Sequence, residues 1–325
     1  MTKKLLTAKE FLLFIFLIAF SLILSVGGNF SYACIDGIKL WFACVFPSLF
    51  PYLFITAILT NLSITARLSK RLSPITKRLF NTGGISGFAL IISLVSGYPL
   101  GAKTVADLKE KGLINDAESV RCAAFCSTSS PMFLIGSVGS IMFNSKTFGL
   151  ALFLVHFISA IIVGVIFSFY KRKEKPCEKF TMPLLKNSDN LLYDSVYQAV
   201  ISVLIVGGLI TIFYVLTEVL LAFNILTPAI NLLSTITQDD KMAESLVLGV
   251  FECTRALKSL SQAPQHILTL PIAAALCGFG GGSVIVQSVS YLKKAKIKTA
   301  LFILAKIISA VINFIIGLII SLIVL

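Results

Sequence analysis

The sequence predicts an all-α polytopic membrane protein built as an inverted repeat, with two re-entrant helical hairpins and two broken transmembrane helices. Three observations carry that prediction. Hydrophobic residues make up 57% of the 325-residue chain and charged residues only 13%, with a mean hydropathy of +0.94; soluble domains of this length are far more polar. Two stretches in opposite halves repeat one pattern: SLVSGYPLGAKTVADL (93–108) aligns without gaps on SLVLGVFECTRALKSL (245–260), pairing Gly97 with Gly249 and Lys103 with Arg255. AAFCSTSSPMFLIGSV (123–138) then lies on AALCGFGGGSVIVQSV (274–289), and HFISAII (156–162) on KIISAVI (306–312), at a nearly constant offset. Finally, both copies interrupt apolar segments of membrane length with glycine, proline and charge, and unwound backbone is tolerated at membrane depth only where it lines a protein cavity.

The apolar segments run over 11–27, 38–59, 85–105, 119–143, 148–169, 199–221, 242–257, 268–292 and 300–325. A simple crossing needs about 20 apolar residues. The first segment follows Lys3, Lys4 and Lys9 and has no A-x-A cleavage site, so it reads as a retained helix. The third and seventh each carry a mid-segment glycine closely followed by a cation, Gly97 with Lys103 and Gly249 with Arg255. These two read as re-entrant hairpins that enter and leave on one side. The fourth and eighth are long enough to cross, but CSTSSP (126–131) and CGFGGGS (277–283) favour unwinding at their centres. The organisation is then residues 1–30 as an N-terminal transmembrane helix, 31–170 as the first repeat, 171–190 as a basic loop and 191–325 as the second repeat.

Counting the hairpins as non-crossing leaves seven crossings, and the charges test this arrangement. A cytoplasmic amino terminus places inside Lys3, Lys4 and Lys9, then Arg67, Lys70, Arg71, Lys77 and Arg78, then Lys109, Lys111 and Arg121. The central loop adds Lys171, Arg172, Lys173, Lys175, Lys179 and Lys186, and the last loop Lys293, Lys294, Lys296 and Lys298. The outer loop at 222–241 holds Asp239 and Asp240 but a single lysine, as the positive-inside rule requires. A net charge of +13 distributed in this way argues for a lipid bilayer as partner and against nucleic acid. Three crossings separate the matched elements, and an odd number inverts the second copy, so the two hairpin tips are expected to meet near the midplane against the two broken helices.

Lys103 and Arg255 stand out chemically, because a cation deep in a helix costs about 2.5–3.5 kcal/mol and usually faces a cavity or a partner. The alternatives are snorkelling or pairing with Asp107 or Glu252. Glu252 reads as a substrate contact, a proton carrier or the counter-ion of Arg255. Gly97, Tyr98, Pro99 and Gly101 surround the first hairpin turn, and Thr254 stands beside the second. Ser127, Thr128, Ser129 and Ser130 in one broken helix offer hydroxyls and free amides, as do Gly280, Gly281, Gly282, Ser283 and Gln287 in the other; half-helix amino termini suit an anionic group. The alternative for these small residues is helix packing. His156 and Lys306 read as packing or snorkelling residues with support or coupling as the alternative, and Glu218 as a solvent contact at an outer helix end. GFGGGS lacks a Walker lysine, and no HExxH or GxSxG motif suggests an enzyme. The seven cysteines show neither CxxC nor Cys/His metal spacing, so no metal or cofactor is expected.

SGYPLGAK (96–103), FCSTSSPMFLIGSVG (125–139), GVFECT and GFGGGSVIVQ resemble the YlbJ (SpoVV-like) family of sporulation integral membrane proteins. That family belongs to the wider nucleoside-recognition Gate group, which includes concentrative nucleoside transporters. The resemblance runs from FPSLFP (46–51) through the last helix and makes both repeats Gate-like. It implies transport of a small organic anion, dipicolinic acid, out of the mother cell across the outer forespore membrane. The family commonly shows Asn and Gly where this chain has Ser127 and Ser130. A nucleoside carrier and a non-transporting factor for spore maturation are the alternatives, and a homo-oligomer is compatible with either.

Overall fold

The computed structural model describes residues 17, 18, 21, 29–61, 64–177 and 190–324. Among them every regular element is a helix. All of the expected first crossing at 11–27 except residues 17, 18 and 21, the lysines before it, and Lys179 and Lys186 of the central loop lie outside the described residues.

α1 (Asn29–Leu40) passes through a π-helical turn, Trp41–Val45, into α2 (Phe46–Asn61), and together they form one apolar run, Phe30–Leu59. α3 (Ile64–Phe80) is a helix where a basic loop is expected. Leu68, Leu72, Ile75 and Leu79 recur at helical spacing among its basic residues, the pattern of an amphipathic helix too polar to cross alone, and its buried positions are Ser69, Ser73, Thr76 and Phe80. α4 (Gly84–Ser96) leaves α3 at 91°. Gly84 permits the crossing, because a Cβ there would run into the Ser69 carbonyl.

α5 (Leu100–Glu110) completes the first hairpin, and α6 (Asp116–Phe125) opens the first broken helix with an Asn115/Glu118 capping box. The fully buried Glu118 also accepts from the Gly83 N–H (2.7 Å) and the Cys177 N–H (2.8 Å). One carboxylate therefore fastens the α3–α4 corner and the central loop to the start of α6. Arg121, expected among the loop charges, is instead fully buried and donates to the carbonyls of Tyr170 and Glu174, both at 3.3 Å. A guanidinium spent on carbonyls beyond a helix end complements the negative pole of that helix.

Residues 126–130 are non-helical, and the chain resumes at Pro131 as a π-helical segment, Met132–Met142. α7 (Lys146–Ser168) and α8 (Leu191–Ala222) follow, then α9 (Thr227–Thr237), which occupies the expected outer loop. α10 (Asp240–Phe251) and α11 (Cys253–Leu260) form the second hairpin, α12 (Thr269–Phe279) and α13 (Gly281–Lys294) the second broken helix, and α14 (Thr299–Val324) the last span.

Among the described residues five helices are long and apolar enough to cross a membrane, or six if the α3–α4 pair is counted as one span. The five match five of the expected crossings; the sixth expected crossing in this region is the one broken at 126–130. Exposed Leu150, Leu154, Phe157 and Ile158 on α7, and Ile307, Val311, Ile315 and Ile319 on α14, give these helices a lipid-facing side. Their other sides pack against each other, α7 also on the π-helical segment and α14 on α12. α5 lies on α13, and α11 touches the π-helical segment, so the outgoing arm of each hairpin contacts the other copy's broken helix.

Candidate functional site

The first hairpin turns at Gly97, whose φ of 77° lies in the left-handed region that glycine adopts without penalty. A Cβ there would stand 2.8 Å from the Ser130 nitrogen, so the tip is seated on the first unwound segment. The second hairpin breaks at Glu252, an extended residue whose Oε2 accepts from the Arg255 N–H at 2.5 Å and caps α11. Gly281, with φ 77°, brings its own backbone against that break: a Cβ would meet the Cys253 nitrogen at 3.0 Å and the Glu252 Cα at 3.2 Å. Each hairpin tip therefore rests on the broken helix of its own copy, with a positive-φ glycine at each junction.

The two junctions enclose one cavity. Gly97, Tyr98, Ser129 and Ser130 line it from the first copy, and Glu252, Cys253, Thr254, Val284 and Gln287 from the second. Val45, Leu49, Phe133, Val206 and Ile210 make its apolar walls. At about 30 Å³ it holds a water or two; pockets for organic solutes usually start near 300 Å³. This conformation is closed, and admitting a solute requires the junctions to part.

The polar groups around the cavity fall into two sets. Thr128 is tied down, its N–H donating to Ser93 Oγ (3.2 Å) and its hydroxyl sharing a 2.9 Å bond with the same oxygen. Ser130 Oγ accepts from the Phe133 N–H (3.2 Å) and starts the next helical turn. Three lining residues make no side-chain hydrogen bond among the described residues, at the Tyr98 and Ser129 hydroxyls and both amide atoms of Gln287, and the Ser127 and Ser283 hydroxyls just outside the lining are likewise unpaired. Burying an unpaired polar group costs about 1–3 kcal/mol, so a cluster of them around one cavity points to a polar occupant. Apolar walls with a few convergent polar groups are the usual anatomy of a small-molecule site.

The remaining expected site residues sit beside the cavity. Gly101 is a packing residue, since a Cβ would run into the Cys126 carbonyl. Gly280 caps α12 at φ 84°, and Gly282 lies under the Phe213 ring, which a Cβ would approach to 2.9 Å. Pro99 and Lys103 line an adjoining cleft with Tyr98, Ser202 and Tyr291. Arg255 lines a separate cavity of about 320 Å³ with Tyr214, Lys241, Glu244 and Lys258. Along α8 the order is Ser202, then Val206 and Ile210 at the central cavity, then Tyr214, so the two cations flank the centre across roughly 18 Å of helix.

The counter-ion of Arg255 is Glu218 rather than Glu252. Its guanidinium donates to Glu218 Oε1 (2.5 Å), the Tyr214 carbonyl (3.0 Å) and the Thr217 hydroxyl, and stacks 4.2 Å from the Tyr214 ring centroid. Glu218, expected in solvent, thus joins α8 to the second hairpin. Glu252 turns to its own helix instead, where the α11 amino terminus compensates its charge.

Two residues read from the sequence as packing or snorkelling groups prove central. His156 Nε2 accepts from the Ser129 N–H at 2.8 Å, which fixes that nitrogen as the unprotonated one. Lys306 Nζ donates to the Ser127 carbonyl at 3.1 Å and lies 5.2 Å from the Tyr98 ring centroid. Behind them Asn313 donates to Ser159 Oγ (2.7 Å) and the Ser309 carbonyl (2.7 Å), joining α14 to α7. The available signal was spacing: Lys306, Ser309 and Asn313 fall at i, i+3 and i+7, and His156 and Ser159 at i and i+3, each a polar stripe on an apolar helix.

A family model described as nucleoside recognition, named Gate, matches residues 42–173, which span the first hairpin and the first broken helix. The sporulation integral membrane protein YlbJ of Bacillus subtilis (strain 168) is 30% identical over 304 residues, 85% of this chain and 73% of that protein. No solved structure matches.

Proposed function

We propose that this chain, which belongs to the family of the sporulation integral membrane protein YlbJ, moves a small organic anion across its membrane. Dipicolinate passing from the mother cell toward the forespore, across the outer forespore membrane, is the first solute to test. The observation that carries the reading is the convergence of both hairpin tips and both broken helices on one closed cavity, into which Tyr98, Ser129 and Gln287 bring unpaired polar atoms. A packed core has no use for those groups; a solute with oxygen and nitrogen acceptors does.

In this reading the two copies are inverted, because the first broken helix, α7 and α8 cross between them. Parting the first junction then opens the cavity toward one side and parting the second toward the other. Lys103 and Arg255, one at each end of this route along α8, are the charges an anion meets on entering or leaving. Membership of the Gate group and the free Gln287 amide support a second reading, a nucleoside carrier. A third is a non-transporting maturation factor whose fold only binds a ligand.

Vesicles reconstituted with the purified protein discriminate the three. Saturable uptake of dipicolinate with no response to nucleosides is the expected result. Uptake of nucleosides alone replaces the anion reading with the second, and binding without uptake of either replaces it with the third.

A further inference from the structure

The two cations that flank the route are not the charge closest to the cavity. Arg255 is committed to Glu218, Thr217 and Tyr214. Lys103 is only half-buried and stands in the adjoining cleft. Lys306 is 1% exposed, about two helical turns inside the apolar span Thr299–Ile323, and has no carboxylate within ion-pair distance among the described residues. Of its three N–H donors one reaches the Ser127 carbonyl; what lies beyond is the face of Tyr98, whose ring lines the cavity. A Cβ on Gly280 would stand 3.7 Å from the same ammonium, so Lys306 lies between the two broken helices.

An ammonium buried at membrane depth without a counter-charge is costly to retain, and such groups usually mark a pathway or a site. Its repeat partner His156 does not share the burden, because Nε2 is an acceptor and the ring is then neutral. Glu252, the carboxylate at the cavity, is turned to the α11 amino terminus. The charge balance of the closed site is therefore left open at one point, Lys306.

We propose that Lys306 is the anion-binding group of the central site, and that a carboxylate of the solute replaces the Tyr98 ring against its ammonium when the first junction parts. Tyr98 is the shutter: it belongs to the hairpin tip, so the motion that opens the cavity also withdraws the ring. The cation–π contact makes the closed state a place where the charge is partly compensated. The carboxylate completes that compensation through a charge-assisted hydrogen bond. The assignment rests on the anion reading of the site and adds to it the residue that selects for charge.

The test compares dipicolinate with its uncharged dicarboxamide, which keeps the ring and its shape. Binding is measured by calorimetry on the purified full chain for wild type, Lys306→Gln and Lys306→Arg. Gln retains a donor for the Ser127 carbonyl without charge, whereas Arg retains the charge. Lys306→Gln should lose about 10- to 100-fold in dipicolinate affinity while the dicarboxamide binds it at least as well as it binds wild type, and Lys306→Arg should keep the preference for the dianion. A folded Lys306→Gln that binds dipicolinate like wild type overturns the assignment and leaves the anion reading standing. Equal losses for both ligands overturn it too, because they mark a structural role. A wild type that binds no carboxylate ends both.

Discussion

Gln287 offers a sharp opposition between stability and function. Its side chain is 4% exposed, lines the central cavity, and leaves both amide atoms without a hydrogen bond among the described residues. Each unpaired buried group costs about 1–3 kcal/mol, and a single water in a cavity of this size recovers part of that for one of them. Replacing the amide by Met keeps the volume and the helix propensity while removing the penalty. Gln287→Met should therefore be more stable than wild type by about 1–3 kcal/mol, read as a higher melting temperature in detergent. The same change removes one or two hydrogen bonds to the solute, worth about 1–3 kcal/mol, so binding should weaken by roughly 5- to 150-fold. Thermal unfolding with and without ligand reads both effects in one experiment. A variant that melts below wild type means the amide has partners in the folded protein. One that melts higher yet binds unchanged means Gln287 faces water rather than solute, and the site assignment fails at that residue.

Gly281→Ala should abolish transport while the protein still inserts, since a Cβ would press on the Cys253 nitrogen and φ 77° costs a non-glycine residue about 1–2 kcal/mol; normal transport would mean the junction tolerates a gap. Arg255→Gln should destabilise more than Glu218→Gln, because Arg255 also holds Tyr214 and Thr217. With Glu218 36% exposed, the coupling in a double-mutant cycle should be about 1 kcal/mol or less, and purely additive melting shifts would remove the ion pair from the account. The inverted topology predicts that, in a background lacking other cysteines, an impermeant thiol reagent on intact cells labels Thr235→Cys on α9 and spares Cys177. Labelling of Cys177 from outside would reverse the orientation.

The breaks in this fold are legible in the sequence because their cause is local. Gly97, Pro131 and the Gly280–Gly282 run each mark a real end or start of a helix, whereas Pro51 and Gly207, in equally apolar stretches, leave theirs uninterrupted. The facing of charges is less legible, because it depends on helix rotation and on neighbours distant in sequence. Arg255 on the second hairpin meets Glu218 on the spanning helix α8, and Arg121 turns into the protein from what reads as a charged loop. α3 is legible as an amphipathic helix from Leu68, Leu72, Ile75 and Leu79, but its low overall hydropathy makes it read as a basic loop when only membrane-length apolar runs are sought.

The two broken helices also differ in a way their motifs explain. The second is interrupted at one residue, Gly280, whose N–H still bonds to the Leu276 carbonyl at 2.8 Å, so glycine alone suffices. The first is unwound over 126–130, and freed backbone groups at membrane depth need partners from elsewhere. Three come from side chains: Ser93 for the Thr128 N–H, His156 for the Ser129 N–H and Lys306 for the Ser127 carbonyl. His156 on α7 and Lys306 on α14 therefore hold the first unwound segment from behind, while the Ser129 hydroxyl at the cavity makes no hydrogen bond among the described residues. A segment supported in this way stays open without a bound solute.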